Sequence, residues 1–151
     1  MYARMLDRDD IEIICQHREK MFREAGRDGD TLAVMTASFK VWLQPRLLDQ
    51  RYFGFLLVEG DEVVGGIGLM AIDWPPHPSH PAQDKRGYVL NVYVEKEFRK
   101  QGLGKRLMNL ANEEFSKRGL QFAILHATPM GRSLYEDLGW QATSEMSKSM
   151  T

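Results

Sequence analysis

The chain has a single cysteine, Cys15, so no internal disulfide can form. Cys15 falls among Ile11, Ile13 and Ile14 in a helical pattern. No cationic pocket or paired histidine accompanies it, so a buried, inert thiol is expected. Charge of one sign is lacking too. Twenty Lys and Arg stand against 21 Asp and Glu, a net charge of −1, and no binding of nucleic acid or an anionic membrane is expected. No apolar run is long enough to span a bilayer. Tyr2 to Asp10 is charged and has no apolar core, so no secretory leader is expected and the cytoplasm is the expected compartment. Internal repeats and low-complexity tracts are absent. Four of the six prolines crowd into residues 75–81, where they forbid regular structure. His77 and His80 in that loop have no acidic or cysteine partner beside them, so no metal is expected.

What remains is an ordinary apolar share in 151 residues, enough for one core and one domain, residues 1–151. Tyr2 to Leu6 reads as a short strand. Asp7, Asp9 and Asp10 then lead into a helix that ends at Gly26. Asp30 or Thr31 can cap a second helix, which Pro45 should kink or restart. Tyr52 to Glu59 is a strand, Gly60-Asp61 a hairpin turn, and Glu62 to Asp73 the returning strand. Gly65, Gly66 and Gly68 weaken that return strand. They mark a bulge, a close backbone neighbour or loose packing against a helix, and loose packing is the favoured reading.

Tyr88 to Phe115 is the most informative stretch. Val89, Leu90, Val92, Tyr93 and Val94 form a strand buried on both faces, interrupted only by Asn91. Leu103, Leu107, Leu110, Ala111 and Phe115 then recur at helical spacing up to Gly119. Between them lies Arg99-Lys100-Gln101-Gly102-Leu103-Gly104. A helix start offers unpaired N–H groups and a partial positive charge. Two glycines let a ligand approach the backbone, and Arg99, Lys100, Lys105 and Arg106 add cations. Two readings stay open on these residues: a pyrophosphate cradle, or a tight turn on a solvated basic corner. The nucleoside-triphosphate loop is excluded because no Gly-Lys-Ser/Thr follows, and the dinucleotide fingerprint because Leu107 holds its third glycine position.

Leu120 to Ala127 reads as a further buried strand, parallel to 87–95 after a right-handed helical crossover. Thr128-Pro129 starts a last helix that stops at Gly139. Trp140 to Ser147 alternates weakly and is expected as a final strand.

Arg99-x-x-Gly102-x-Gly104 after a hydrophobic strand resembles the acyl-CoA-binding segment of the GNAT superfamily of N-acetyltransferases. A second block, HATPMGRSLYEDLGW over residues 126–140, is similar to that family's Asn-x-x-Ala-x-x-x-Tyr region. Tyr135, Glu136, Gly139 and Trp140 match it, while Thr128 replaces Asn and Gly131 replaces Ala. The resemblance implies an α/β fold with a mixed, mostly antiparallel sheet and helices on both faces. It implies acetyl-CoA as cosubstrate, without a metal. It assigns the pantetheine arm to the backbone of Val92, Tyr93 and Val94, in a gap where two parallel strands splay. It assigns the pyrophosphate to Arg99, Lys100, Gln101, Gly102, Leu103, Gly104 and Lys105, with Thr128 and Gly131 nearby. Tyr135 is then the catalytic acid at the sulfur.

The implied activity is acetyl transfer to a primary amine of a small molecule or peptide, by direct attack in a ternary complex. A non-catalytic acyl-CoA sensor of the same fold is the alternative. An alkyl ammonium, with a pKa near ~10.4, must lose a proton before it attacks. Glu95, Asp73, His77, His80 and a water chain are the candidate bases, and Asn91 reads as a residue near the acceptor, a hydrogen-bonded core residue or a bulge residue. The acceptor surface is expected from Glu24 to Asp30, Trp42 and the Trp74 to Pro81 loop, where Glu24, Asp28, Asp30 and Asp73 could attract a cation. The sequence leaves the oligomeric state open; a homodimer through the final strands is an arrangement common in the family it resembles.

Overall fold

The computed structural model describes residues 1–151. Five strands form one sheet in the order β1-β2-β3-β4-β5. They are β1 (Tyr2–Met5), β2 (Phe53–Glu59), β3 (Glu62–Asp73), β4 (Lys85–Val94) and β5 (Ala123–Leu125). The first four pair antiparallel in sequence; β5 lies parallel to β4. The helices are α1 (Ile11–Glu24), α2 (Gly29–Leu48), α3 (Leu103–Lys117) and α4 (Arg132–Asp137). No helix is long and apolar enough to cross a membrane.

Each face of the sheet has its own core. Leu103, Leu107, Met108, Ala111 and Phe115 of α3 pack on Phe53, Leu57, Val64, Ile67, Leu69 and Val89. On the other face, Ile14 and Cys15 of α1 and Phe39, Leu43 and Leu47 of α2 enclose Tyr52. Cys15 is buried, as its apolar neighbours imply. Left-handed glycines follow α1 and α3, at Gly26 (φ 86°) and Gly119 (φ 73°).

Local chemistry moves several boundaries. Asp28, not Asp30 or Thr31, caps α2 by accepting from the Thr31 N–H at 3.1 Å. The helix runs through Pro45 without restarting. The proline removes an N–H opposite exposed Val41, where water can satisfy the freed carbonyl. Thr128-Pro129 does not open α4. The Thr128 carbonyl accepts from Gly131 and Arg132 at 3.1 Å in a turn, and the helix begins at Arg132. Residues 140–147 form no strand, and β5 shrinks to three residues. Each lacks a partner to complete it, since the outer edge of β5 is unpaired.

The glycines of β3 mark tight packing rather than loose packing. A Cβ on Gly68 would lie 1.9 Å from the Tyr52 hydroxyl, and one on Gly66 would lie 2.8 Å from Leu56 and 3.1 Å from His17. The register slips here: Gly66 pairs with Tyr93, but Gly68 pairs with Leu90. The extra residue on β4 forms a bulge in which Asn91 takes φ 56°, a left-handed conformation that asparagine tolerates better than most residues.

Candidate active site

β4 and β5 are paired only from Gly87–Ala123 to Val89–Leu125. Beyond Val89, β4 continues to Val94 without a parallel neighbour. Two cavities occupy the opening. One, ≈ 650 Å³, extends from Val92, Tyr93 and Val94 to the start of α3. The other, ≈ 350 Å³, lies toward α1 and is lined by Arg18, Arg27, Tyr88, Asn91 and His126. Val92, Thr128 and Tyr135 line both, so the cavities adjoin.

The larger cavity brings together the residues assigned to the acyl-CoA arm. Val92, Tyr93, Val94, Arg99, Lys100, Gly102, Leu103, Gly104, Lys105, Thr128 and Gly131 all line it; exposed Gln101 does not. The start of α3 has no side-chain cap and no acidic residue in its first turn. Its first intrahelical bond runs from the Arg106 N–H to the Gly102 carbonyl, so the N–H groups of Leu103 to Lys105 have no partner within the helix. Lys100 (φ 62°) and Gly102 (φ 76°) are left-handed, and this lets the chain turn sharply into the helix. These are the features an anionic ligand needs: unpaired donors, the positive end of a helix and no carboxylate there to compete.

Arg99 has a structural partner. Its guanidinium lies 2.7 Å from Glu24 and donates to the Val94 carbonyl at 2.8 Å. The Tyr93 hydroxyl donates to the same Glu24 carboxylate at 2.5 Å. Burial opposes ionisation of Glu24, but the hydrogen bonds from Tyr93 and Arg99 outweigh it and hold its pKa below the usual value. Glu24 thus ties α1 to the end of β4 and fixes the turn before α3.

Tyr135 projects from α4 between the cavities. Burial pushes its pKa up to about 12, so the phenol keeps its proton at neutral pH. Gly131 makes room for the ring: a Cβ there would sit 2.9 Å from a ring carbon. A larger residue at 131 therefore conflicts with this placement of Tyr135.

Several expected residues lie elsewhere. Asp73 is exposed at the far end of β3 and pairs with Lys85. His80 is fully buried; its Nε2 accepts from Arg86, which stacks between Trp74 and Phe122. The proline-rich loop is thus pinned beside the other end of β4 and lines neither cavity. Glu95 bonds Lys20 at 2.8 Å and also lies outside both cavities. Trp42 packs on Phe39 and Tyr52. Asn91 does line the smaller cavity, and it is also a hydrogen-bonded core residue. Its amide donates to Tyr52 at 2.8 Å and its carbonyl accepts from Arg18 at 2.7 Å.

Three cavity residues were not singled out from the sequence. Arg18 stacks on Phe22 and Phe39 and has no carboxylate partner; burial lowers its pKa. Tyr88 and His126 are 3.1 Å apart, and His126 is backed by Glu145 at 2.5 Å. A histidine at the end of a strand is the signal that could have found His126; Arg18 carries none within α1.

The mixed sheet opens at its one parallel pair beside an uncapped helix start, as the resemblance to the GNAT superfamily implies. The match to a profile of the Acetyltransferase (GNAT) family over residues 12–140 agrees, and the chain belongs to that family. It is similar to a GCN5-related N-acetyltransferase from Ralstonia eutropha JMP134, with 57% identity, TM-score 0.98, and 99% of this chain and 97% of that one covered. A predicted acetyltransferase from Clostridium acetobutylicum, crystallised with acetyl-CoA, shares the fold at 20% identity and TM-score 0.89, covering 98% and 94%. An aminoglycoside 6'-N-acetyltransferase from Acinetobacter haemolyticus shares it at 12% identity and TM-score 0.71, covering 100% and 98%.

Proposed function

We propose that this protein is an N-acetyltransferase that moves an acetyl group from acetyl-CoA to a primary amine by direct attack in a ternary complex. One observation carries the reading: the donor-rich cavity at α3 adjoins a second cavity, and Tyr135 lines both. The start of α3 holds the pyrophosphate through the N–H groups of Leu103, Gly104 and Lys105, with Lys100 and Lys105 adding charge. The unpaired edge of β4 at Val92 to Val94 receives the pantetheine amides. Acetyl-CoA, as substrate, supplies the activated acetyl thioester. The acceptor occupies the smaller cavity.

In the reaction a C–N bond forms and the C–S bond breaks. The acceptor ammonium gives one proton to His126 before it attacks. His126 is the one imidazole lining the smaller cavity; its Nε2 lies 2.5 Å from Glu145, so a proton taken at Nδ1, in place of the 3.1 Å hydrogen bond with Tyr88, leaves a charge that Glu145 balances. After the attack the nitrogen sheds its second proton, which leaves with the thiolate as the free CoA thiol, and the Tyr135 phenol donates a hydrogen bond to the sulfur as negative charge develops there. Its buried position makes that donor more effective, because the low local dielectric strengthens the interaction. A bacterial-type, cytoplasmic setting fits this chemistry, since acetyl-CoA is an intracellular thioester. A homodimer is part of the proposal: the open edge of β5 faces a ≈ 690 Å³ groove, and the unpaired 140–147 segment of a second copy could extend the sheet there.

The test is calorimetric titration with acetyl-CoA, followed by a thiol-release screen over amines with wild type and Tyr135→Phe. Micromolar binding, turnover, and a fall in kcat of about 100-fold in Tyr135→Phe are expected. Binding without turnover of any amine supports the acyl-CoA sensor instead. No binding by folded protein removes both.

A further inference from the structure

The smaller cavity is lined by two arginines, Arg18 and Arg27, and by no aspartate or glutamate. The acidic residues expected around an acceptor cation are engaged elsewhere or lie outside it. Glu24 clamps Arg99 and Tyr93, Asp73 pairs with Lys85, Asp28 caps α2, and Asp30 lines neither cavity. The permanent charges that line the cavity are therefore cationic, and the carboxylate behind it, Glu145, is paired with His126.

Arg18 is built into place rather than displayed on a surface. Its Nη1 donates to Asn91 at 2.7 Å, and Asn91 is fixed by Tyr52 and by the bulge of β4. Its plane lies over Phe22 and Phe39, at 5.0 and 4.7 Å from the ring centres. Its Nε is buried with no hydrogen-bond partner. The titratable groups around it are Tyr52, Tyr88 and Cys15, all neutral at pH 7, and no carboxylate is among them. A half-desolvated cation whose only hydrogen-bond partner is a neutral amide is costly, and an arriving anion relieves that cost. The planar guanidinium also suits a carboxylate, which it can meet with paired N–H donors.

Building on the acetyltransferase reading, we propose that the acceptor is an amine that also carries a carboxylate, and that Arg18 binds this carboxylate with Arg27 supporting it at the rim. Amino acids and small peptides with a free carboxylate belong to this class. Polyamines and aminoglycosides do not, because a second cation would face Arg18 without a counter-charge.

The test compares amino acids with their own carboxamides in the thiol-release assay on the full chain. The carboxamide has the more easily deprotonated amine, so chemistry alone favours it. A preference for the acid therefore reports on the site. The expected kcat/KM ratio of acid to amide is at least ~30-fold in wild type, because a site that hydrogen-bonds a substrate group discriminates strongly against analogues lacking it. In Arg18→Gln the ratio collapses, chiefly through KM for the acid, while Arg18→Lys retains part of it. Acetyl-CoA affinity and the unfolding midpoint, measured on each variant, show that the effect is local. If Arg18→Gln fails to fold, the wild-type ratio and Arg18→Lys decide. A parallel titration of the same amino acids into protein saturated with CoA separates the two readings. Arg18-dependent binding without turnover upholds this inference and removes the transferase. Turnover with equal or better use of amides, or of polyamines, upholds the transferase and overturns this inference. Neither binding nor turnover of acids overturns it as well.

Discussion

His17 should make the fold acid-sensitive well above the range in which carboxylates titrate. It lies on α1, 2% exposed, between Tyr93 and the Cβ-free surface of Gly66. Its Nε2 makes no hydrogen bond and is 3.8 Å from Glu95, a carboxylate already bonded to Lys20. Burial lowers its pKa from 6.5 to about 4; Glu95 raises it and Lys20 lowers it further. The folded chain thus holds a neutral imidazole where the unfolded chain would be protonated. Between pH 4 and 6.5 the unfolded state binds up to one more proton, so stability falls as pH falls through that window. The 2.5-unit difference, at about 1.36 kcal/mol per unit, amounts to roughly 3 kcal/mol at the acid end.

Urea unfolding of wild type and His17→Leu at intervals from pH 7 to pH 4.5 measures this. Leucine is close in volume and cannot titrate, so the variant should stay within about 1.5 kcal/mol of wild type at pH 7. The wild-type free energy should drop by about 2 kcal/mol or more by pH 4.5, while the variant loses most of that slope. Asp10 and Glu24 do not confuse the result. Their hydrogen bonds hold both pKa values below the ordinary carboxylate values, against burial, so their contribution is lost only at still lower pH. Equal slopes in the two proteins would refute the reasoning.

Three further outcomes follow from close contacts. Gly68→Ala places a Cβ 1.9 Å from the Tyr52 hydroxyl and 3.1 Å from the Leu90 carbonyl, so urea unfolding should show a loss of about 2–3 kcal/mol. Gly131→Ala should displace the Tyr135 ring without unfolding the chain, because the obstructed atoms are those of a movable side chain. Its kcat should fall toward that of Tyr135→Phe while its unfolding midpoint stays within a few degrees. His126→Gln should lower kcat/KM by about 100-fold with acetyl-CoA affinity retained, as measured by thiol release and calorimetry. An unchanged rate would remove His126 as the proton acceptor.

The features legible in the sequence were those written in local patterns. The run Val89 to Val94, the glycine pair at 102 and 104, and the helical period to Phe115 placed the strand, the turn and the helix where the structure has them. Gly26 and Gly119 placed helix ends for the same reason: a left-handed residue after a helix favours glycine whatever the tertiary setting. The failures were long-range. Residues 140–147 have an alternating pattern, but a strand exists only where another strand accepts its hydrogen bonds, and none does. The proline-rich loop was expected at the acceptor surface only from the family resemblance, yet Arg86 and Phe122 draw His80 and Trp74 to the opposite end of β4.

Arg18 shows most clearly why the acceptor side was illegible. In sequence it is one of many charges on an amphipathic helix, and nothing within α1 separates it from Arg23 or Lys20. Its distinction arises from three residues far from it in the chain. Gly68 leaves room for the Tyr52 hydroxyl; Tyr52 accepts from Asn91; the β4 bulge turns Asn91; and Asn91 accepts from Arg18. Asn91 was the one polar residue in its strand; it is at once a hydrogen-bonded core residue, a bulge residue and part of the smaller cavity's lining. A left-handed asparagine in a bulge is strained and is retained only where its surroundings hold it. Here those surroundings end in an arginine facing the cavity. Replacing Tyr52 by Phe should therefore loosen Arg18 and weaken discrimination between acid and amide. Acetyl-CoA binding should be unaffected, because its groove at α3 shares none of the residues in this chain.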